Sequence, residues 1–260
     1  MKDMHGPRVE IAVQDVAGAR TALEAGADRI EVCAGLGAYG GLTPSWAVIA
    51  GCSRVGLPLG AQVLIRPRAG AFVYENEDER RVQVEDVRSA VKAGAGGVVV
   101  GALNADGRVD LALCRDLVTA ARSAGDQEGR RVEVTFHRAF DMVVDRSRAL
   151  DQLIDLGFDR VLTSGGAPSV PEGMDSIGDL VSQAAGRIQI MAGGGVRIDA
   201  IGEVLDLGVA AVHLSAKRLV PAPAGPGGGG EDASVEVTDA GTVAAAVRAV
   251  RAYRSRRTAC

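Results

Sequence analysis

The stretch EAGADRIEVC, residues 24–33, decides the fold, because its pattern returns three more times along the chain. The copies are KAGAGGVVVG at 92–101, DLGFDRVLTS at 155–164 and DLGVAAVHLS at 206–215. In each copy a helical pattern precedes a glycine, and a short apolar run begins shortly after it. A glycine just past a helix supplies the left-handed residue that ends it, and such an apolar run is typical of a buried parallel strand. The repeat therefore predicts helix, glycine and strand as one recurring unit.

The segments between these copies complete a pattern of eight strands that alternate with eight helices. We predict strands over 9–13, 29–33, 60–65, 97–101, 132–137, 160–163, 188–192 and 211–215. We predict helices over 16–25, 45–54, 78–93, 111–124, 146–156, 174–185, 199–207 and 242–254. Eight alternations in 260 residues fit a single (β/α)8 TIM barrel of the α/β class, which typically needs about 250 residues. No GxGxxG motif follows the first strand, which argues against a dinucleotide-binding open sheet.

Composition narrows the class of protein further. Hydrophobic residues make up 47% of the chain and aromatic residues only 3%, so the core must consist of Val, Ile, Leu and Ala, as in barrel interiors. The net charge is −4 and the cations are dispersed, which argues against nucleic acid or an anionic membrane as the main partner. No secretory signal and no run of about 20 apolar residues is present, so we expect a cytoplasmic protein.

One segment departs from the alternation. Residues 221–230, PAPAGPGGGG, are rich in proline and glycine and cannot pack a core. We place them as a flexible insertion within one domain that spans residues 1–260, between the eighth strand and the last helix. A disordered insertion is the favoured interpretation, and a lid over a pocket is the alternative.

The candidate site residues lie where the predicted strands end, because active sites of TIM barrels lie at the carboxyl ends of the strands. Candidate catalytic residues are Glu10, Glu31, His137 and Asp141. Candidate ligand-binding residues are Arg66, Arg68, Thr163, Ser164, Gly193, Gly194, Gly195, His213 and Ser215. Charged groups on inward positions must be paired. A structural salt-bridge layer of Glu10, Glu31 and Arg66 is therefore one interpretation, although the whole collection favours a functional pocket.

Two of these features have specific chemical interpretations. His137 could act as a general acid–base near neutral pH or as a metal ligand, and a histidine buried for structural reasons is the alternative. The run Gly193–Gly194–Gly195 resembles an anion cradle, because main-chain N–H groups at such turns bind phosphate. The alternative is a tight turn that needs glycine dihedral angles.

Long motifs identify a family. EVCAGLGAYGGLTPS (31–45), IRPRAGAFVY (65–74), TFHRAFDM (135–142), RVLTSGG (160–166) and MAGGGV (191–196) together resemble the CutC family, named for copper homeostasis, over about residues 8–218. The resemblance implies a TIM barrel, a cytoplasmic homo-oligomer, as a dimer or a tetramer, and a role in copper handling that involves Cu(I).

The resemblance is incomplete at the cysteines. Members of the family commonly carry a cysteine in the first strand and another in the second, but here Cys33 is present and the first-strand position is Ala12. Cu(I) prefers thiolates, often two in a near-linear arrangement. Cys33 alone cannot provide such a pair, and Cys52 is predicted on a helix, where burial as a small apolar residue is expected.

Three functions remain open, and the sequence does not decide whether the protein is an enzyme. The first is a copper homeostasis protein with a charged pocket at the carboxyl ends of the strands. The second is an enzyme that acts on a small anionic, perhaps phosphorylated, metabolite held by Arg66, Arg68 and the glycine run. The third is a divalent-metal site built from Glu10, Glu31, His137 and His213.

Overall fold

The computed structural model describes residues 6–222 and 234–258, and its central element is a closed barrel of eight parallel strands paired in chain order. The strands are β1 (Arg8–Val13), β2 (Arg29–Val32), β3 (Ala61–Leu64), β4 (Gly97–Val100), β5 (Glu133–Phe136), β6 (Arg160–Thr163), β7 (Gln189–Gly193) and β8 (Ala211–Leu214). The predicted (β/α)8 barrel is therefore confirmed, with each strand within one residue of its predicted bounds. Pairing of β1 with β8 closes the barrel.

Helices pack around the barrel. They are α1 (Val16–Glu24), α2 (Leu36–Tyr39), α3 (Trp46–Ser53), α4 (Glu77–Lys92), α5 (Leu111–Gln127), α6 (Arg146–Asp155), α7 (Met174–Ala184), α8 (Ile201–Asp206) and α9 (Ala240–Thr258). Short 3-10 helices cover Arg138–Met142, Val170–Glu172 and Ile198–Ala200. Helix α2 was not predicted, and the helix predicted over 199–207 begins instead as a 3-10 turn. In the described part of the chain, no helix is both long and apolar enough to cross a membrane.

The four repeated glycines adopt the backbone conformation that the sequence pattern predicts. Gly26, Gly94, Gly157 and Gly208 have φ values of 90°, 102°, 81° and 87°. Each follows the C-cap residue of a helix, where a residue with a side chain would be strained. The glycine is thus the local signal that ends a helix and directs the chain into the next strand.

The barrel wall separates two environments, because alternate strand residues face opposite sides. Outward-facing residues such as Val9, Ile11 and Val13 join a large apolar core beneath the helices. The interior of the barrel holds two smaller apolar clusters and a set of buried polar side chains. These polar residues are Glu10, Arg29, Glu31, Gln62, Thr135 and Arg160. The interior therefore carries charges that must be matched within the barrel.

A hairpin follows β8 and was not predicted. Strands β9 (Lys217–Pro221) and β10 (Ser234–Thr238) pair in antiparallel fashion. The Glu236 side chain on β10 forms an ion pair with Lys217 and accepts a hydrogen bond from Gln14 Nε2 (3.2 Å), so the hairpin contacts the loop after β1. Of the predicted insertion 221–230, the residues from 223 onward lie outside the described residues.

Backbone strain alone should make Gly157→Ala destabilising. A Cβ built at Gly157 meets no heavy atom within 4 Å, so the cost comes from its positive φ of 81°. We expect urea denaturation to show a loss of about 1 kcal/mol in the free energy of unfolding. Gly157→Asn, which tolerates the left-handed region better, should lose less. Equal losses for the two variants would contradict this explanation.

Candidate functional site

A cavity of about 450 Å³ opens at the carboxyl ends of the strands. Several predicted site residues line it: Glu31, Cys33, Arg66, His137, Gly194, Gly195, His213 and Ser215. Others do not line it: Glu10, Arg68, Asp141, Thr163, Ser164 and Gly193. The lining also includes Phe72, Arg138, Lys217 and Thr242, which were not among the candidates. The structure thus divides the predicted set into residues at the cavity wall and residues behind it.

Glu10 lies behind the cavity, buried inside the barrel. The β1–β2 register places it opposite Arg29, and the β1–β8 register places it opposite His213. Its carboxylate accepts a hydrogen bond from Arg29 Nε and lies 2.7 Å from His213 Nδ1. Burial by itself would raise the pKa of Glu10, but the charges of Arg29 and His213 hold it well below its ordinary value. Glu10 is therefore a fixed negative charge rather than a group that exchanges protons.

Glu31 lies at the cavity wall, one step further along the same network. Its Oε2 is 3.4 Å from His213 Nε2, so His213 bridges the two glutamates. Burial raises the pKa of Glu31 to about 7, with the Glu10 charge adding to the effect and His213 opposing it. Burial would lower the pKa of His213, but the hydrogen bond to Glu10 and the charges of both glutamates raise it. The His213 ring thus contacts a carboxyl group that titrates near neutral pH.

The predicted salt-bridge layer of Glu10, Glu31 and Arg66 is wrong. The strand register places Ala12, not Glu10, opposite Glu31, because neighbouring barrel strands are staggered. Glu10 is paired with Arg29 instead. Arg66 donates instead to three main-chain carbonyls, those of Tyr39 (2.6 Å), Gly41 (2.9 Å) and Gly70 (2.9 Å).

Arg66 itself is a buried cation without an acidic partner. The side chain is held by carbonyls and lies over the Phe72 ring, at 4.9 Å from the ring centroid. Its Nε is buried and has no hydrogen-bond partner, and no carboxylate within residues 6–222 or 234–258 forms an ion pair with it. Because Arg66 is buried without an acidic partner and lines the cavity, it presents an unmatched positive charge to a ligand in the cavity.

Arg68 does not join Arg66 at the cavity. It pairs with Glu79 on α4, donates to the Val73 carbonyl at 2.9 Å and lies over the Tyr74 ring. The structure therefore does not bring Arg68 to the anion site predicted for both arginines, because its guanidinium group is held by Glu79 and by the Val73 carbonyl away from the cavity.

His137 is 4% exposed and has a defined tautomer. The Ala139 N–H donates to His137 Nδ1 (3.2 Å), so the ring proton of the neutral form lies on Nε2. Burial and then the charge of Arg66 lower the pKa of His137 to about 3. The structure therefore argues against His137 as a proton-exchanging group near neutral pH, and Nδ1 has no free lone pair for a metal.

Asp141, Thr163 and Ser164 connect two loops rather than line the cavity. The Asp141 carboxylate accepts hydrogen bonds from Thr163 Oγ1 (2.5 Å) and from the Ser164 N–H (3.0 Å). It also accepts one from Arg138 Nε (2.8 Å), and Arg138 lines the cavity. The interpretation of Asp141 as catalytic thus gives way to a positioning role, because its oxygens are occupied by the loops after β5 and β6.

The glycine run makes room for two cavity residues. A Cβ at Gly194 would lie 2.7 Å from the Arg138 guanidinium carbon, and one at Gly193 would lie 3.0 Å from the His213 Cβ. Gly194 and Gly195 have φ values of 104° and 70°, which favour glycine. The tight-turn interpretation accounts for both features, and the anion cradle stays a prediction.

Cys33 does not form a two-thiolate copper site. Cys33 is among the residues that line the cavity, and its Sγ donates weakly to the Val13 carbonyl at 3.7 Å. Burial, with the charges of Glu31 and Glu236, raises the pKa of the Cys33 thiol, so it stays protonated. Cys52 and Cys114 belong to the apolar core outside the barrel. Among the described residues, no second cysteine lines this cavity.

Glu10, Glu31 and His213 form a group that could hold a cation, since each offers one ligand atom within 4.8 Å of the others. His137 does not belong to this group, although the sequence suggested it. The charges here are already matched, because Arg29 and the His213 proton face the carboxylates. A divalent cation would have to compete with Arg29 and with a proton on His213 for these carboxylates.

Two of the site residues outside the predicted set, Arg29 and Lys217, illustrate different reasons for being missed. Arg29 sits at the start of β2, two residues before Glu31 on the same face, and this alternation was a usable signal. Lys217 lies on β9 of the β9–β10 hairpin and lines the cavity. No local sequence pattern predicted that hairpin.

Comparison with known proteins matches most of the chain to one family. The CutC family model matches residues 7–218. A family protein CutC from Vibrio cholerae is 42% identical over 215 residues, which cover 82% of this chain and 81% of the relative. One from Xylella fastidiosa is 46% identical over 219 residues, covering 82% and 76%. A crystal structure named as a copper homeostasis protein CutC from Streptococcus agalactiae is 31% identical, with a TM-score of 0.73 over 80% of this chain and 98% of that one.

The raised pKa of Glu31 should make stability depend on pH. The folded protein keeps this proton while the unfolded chain releases it, so stability falls as pH rises from the ordinary value of 4.5 to about 7. The free energy of unfolding of Glu31→Gln, relative to the parent, should therefore increase by at least about 1 kcal/mol between pH 5 and 8 in urea titrations. The control is Glu79→Gln, because Arg68 lowers the pKa of Glu79 and no such increase is expected. If the difference in free energy of unfolding between Glu31→Gln and the parent did not change with pH, the raised pKa of Glu31 would be contradicted.

Proposed function

The chain belongs to the CutC family, as its motifs indicated, and on that premise we propose that it binds a small anionic metabolite in the carboxyl-end cavity. Arg66 holds the anion and Glu31 exchanges a proton with it. The protein is in this view an acid–base enzyme of the TIM-barrel type.

The observation that carries the proposal is the unmatched charge of Arg66. Buried charges in proteins are paired or bind a ligand, because removal from water is costly. The other cations at the cavity have acidic partners: Arg138 contacts Asp141, and Lys217 contacts Glu236. The guanidinium group of Arg66 contacts three main-chain carbonyls and the Phe72 ring and lies beside the Tyr74 side chain, which orient it without supplying a negative charge. A phosphate or carboxylate group in the cavity would supply the missing charge.

Glu31 supports the catalytic half of the proposal. General acid–base groups work best when their pKa lies near the working pH, and the pKa of Glu31 is raised to about 7. His213 contacts its carboxyl group and is itself oriented by Glu10, so the group is held at the cavity wall. A cavity of about 450 Å³ lies within the range for small-molecule sites, about 300–1,000 Å³.

Copper homeostasis is the second candidate function. It is favoured by the name of the Streptococcus agalactiae protein and by the presence of Cys33 at the cavity. The lone, protonated thiol does not fit a two-thiolate Cu(I) site, so a copper role for this chain would not depend on a site of that type. The cytoplasmic location and the homo-oligomer stay predictions.

Removal of Arg66 should abolish anion binding. We expect inorganic phosphate, or a hit from a panel of phosphorylated and carboxylated metabolites, to raise the melting temperature of the parent by linkage. Arg66→Gln should remove that stabilisation, while Arg68→Gln should keep it, because Arg68 is paired with Glu79 away from the cavity. Differential scanning fluorimetry at constant ionic strength measures both effects.

Two further results would decide against the anion site. One is that no anion raises the melting temperature of the parent protein. The other is that Arg66→Gln and Arg68→Gln lose the anion-induced rise in melting temperature to the same extent. Arg66→Lys covers the case in which Arg66→Gln does not fold, because lysine keeps the charge but cannot contact the three carbonyls as guanidinium does. It should retain weakened anion binding.

The copper candidate has its own measurement. Titration of the reduced protein with Cu(I) against a competing chelator should reveal no tight site that depends on Cys33. We therefore expect Cys33→Ser to leave the affinity for Cu(I) unchanged. Cys52→Ser is the control, because it alters a thiol in the apolar core outside the barrel. A stoichiometric site lost only in Cys33→Ser would contradict this reading and favour copper binding.

A further inference from the structure

We infer that the anion bound in the carboxyl-end cavity is amphiphilic, with one acidic group on a hydrocarbon chain or ring that carries few hydroxyl groups. The inference rests on the proposed function, because it names the class of anion that the same cavity takes. It excludes sugar phosphates and sugar acids, in which most carbons carry a hydroxyl group.

The first step is the apolar surface of the cavity wall. Four lining side chains are apolar and only half-buried, so part of each stays accessible: Leu36, Phe72, Val196 and Ile198. Two more apolar side chains line the cavity and are nearly buried, Leu64 at 5% and Leu162 at 4% exposed. Contact with a hydrocarbon group removes such surface from water, which is favourable, whereas a polar ligand gains nothing from it.

The second step is that this apolar surface lies on opposite sides of the barrel. Leu36 packs against the small apolar cluster that contains Leu64, where β2 and β3 end. Leu162 lies on β6, and Val196 and Ile198 follow β7. In a closed barrel of eight strands paired in chain order, β2 lies opposite β6 and β3 lies opposite β7. A hydrocarbon group in the cavity therefore has apolar side chains on two sides.

The third step is that most polar side chains of the wall already have protein partners. These pairs are Arg138 with Asp141, Lys217 with Glu236, Thr242 with Asp239, His213 with Glu10, and His137 with the Ala139 N–H.

The polar groups that remain are few. Arg66 provides the charge for the acidic group of the ligand. Glu31 and Ser215 are then the main groups for ligand hydroxyls, since the Ser215 side chain forms no hydrogen bond with another described residue. Further hydroxyl groups would lose their water without gaining a partner, and each such loss weakens binding.

Two matched pairs of six-carbon anions test the inference. Hexanoate and gluconate share the carboxylate, n-hexyl phosphate and sorbitol 6-phosphate share the phosphate, and only the second of each pair carries hydroxyl groups on the chain. For the head group that binds through Arg66, we expect calorimetric titration of the parent to show at least about tenfold tighter binding of the alkyl anion. Each methylene removed from the chain should weaken binding about threefold. The heat-capacity change of binding should be more negative for the alkyl anion.

Variants of the wall test where the hydrocarbon chain binds. Leu36→Asn makes the wall polar at nearly constant volume, so it should weaken binding of the alkyl anion about fivefold and leave inorganic phosphate or acetate within about twofold. Ile198→Thr makes the corresponding change on the opposite side and covers the case in which Leu36→Asn does not fold. The matched control is Leu219→Asn, because Leu219 is 65% exposed on β9 and does not line the cavity.

The outcomes separate this inference from the proposed function. Equal affinity for the two members of a pair, or tighter binding of the hydroxylated one, would overturn the amphiphilic ligand and leave the anion site standing if the head group still binds through Arg66. An equal loss of alkyl binding in Leu219→Asn and Leu36→Asn would also overturn it. If neither head group bound in an Arg66-dependent way, the proposed function would fail, and this inference with it.

Discussion

The buried carboxylate of Glu10 is the interaction on which the interior of this barrel depends. It lies on β1, the strand that pairs with β2 on one side and closes the barrel with β8 on the other, and it contacts a side chain from each neighbour: Arg29 and His213. A lone carboxylate there would be strongly destabilising, and removing either partner would leave an uncompensated buried charge. The requirement to match this charge therefore ties the closing seam of the barrel to the placement of His213, and through it of Glu31.

A second set of constraints positions the cavity wall from the loops. Main-chain carbonyls hold Arg66, and the Asp141 carboxylate gathers the loops after β5 and β6 while it orients Arg138. Asp141 satisfies its neighbour's charge, whereas the carbonyls leave the charge of Arg66 unmatched. That contrast is what distinguishes a group prepared for an anionic ligand from a group that completes a structural contact.

Membership in a family and the presence of a metal site are separate questions for this protein. Membership in the CutC family is shown by most of the chain, from residue 7 to residue 218. A copper site, in contrast, requires particular donors close together, and here Ala12 and a protonated Cys33 do not supply a thiolate pair. Shared fold and ancestry therefore constrain the architecture of the cavity more strongly than they constrain its ligand.

The sequence by itself determined the eight strands, most of the helices, the closed barrel and the end of the barrel at which the polar residues gather. These features depend on local signals, such as the glycine that ends each repeated helix at Gly26 or Gly157 and the apolar run after it. Only the tertiary structure decided which charges meet. Glu10 and Glu31 occupy equivalent places in their own strands, yet the stagger of a closed barrel offsets them and pairs Glu10 with Arg29. The partners of Arg66, Arg68 and His137 are set by loop backbones and by contacts between distant segments, which no local pattern encodes.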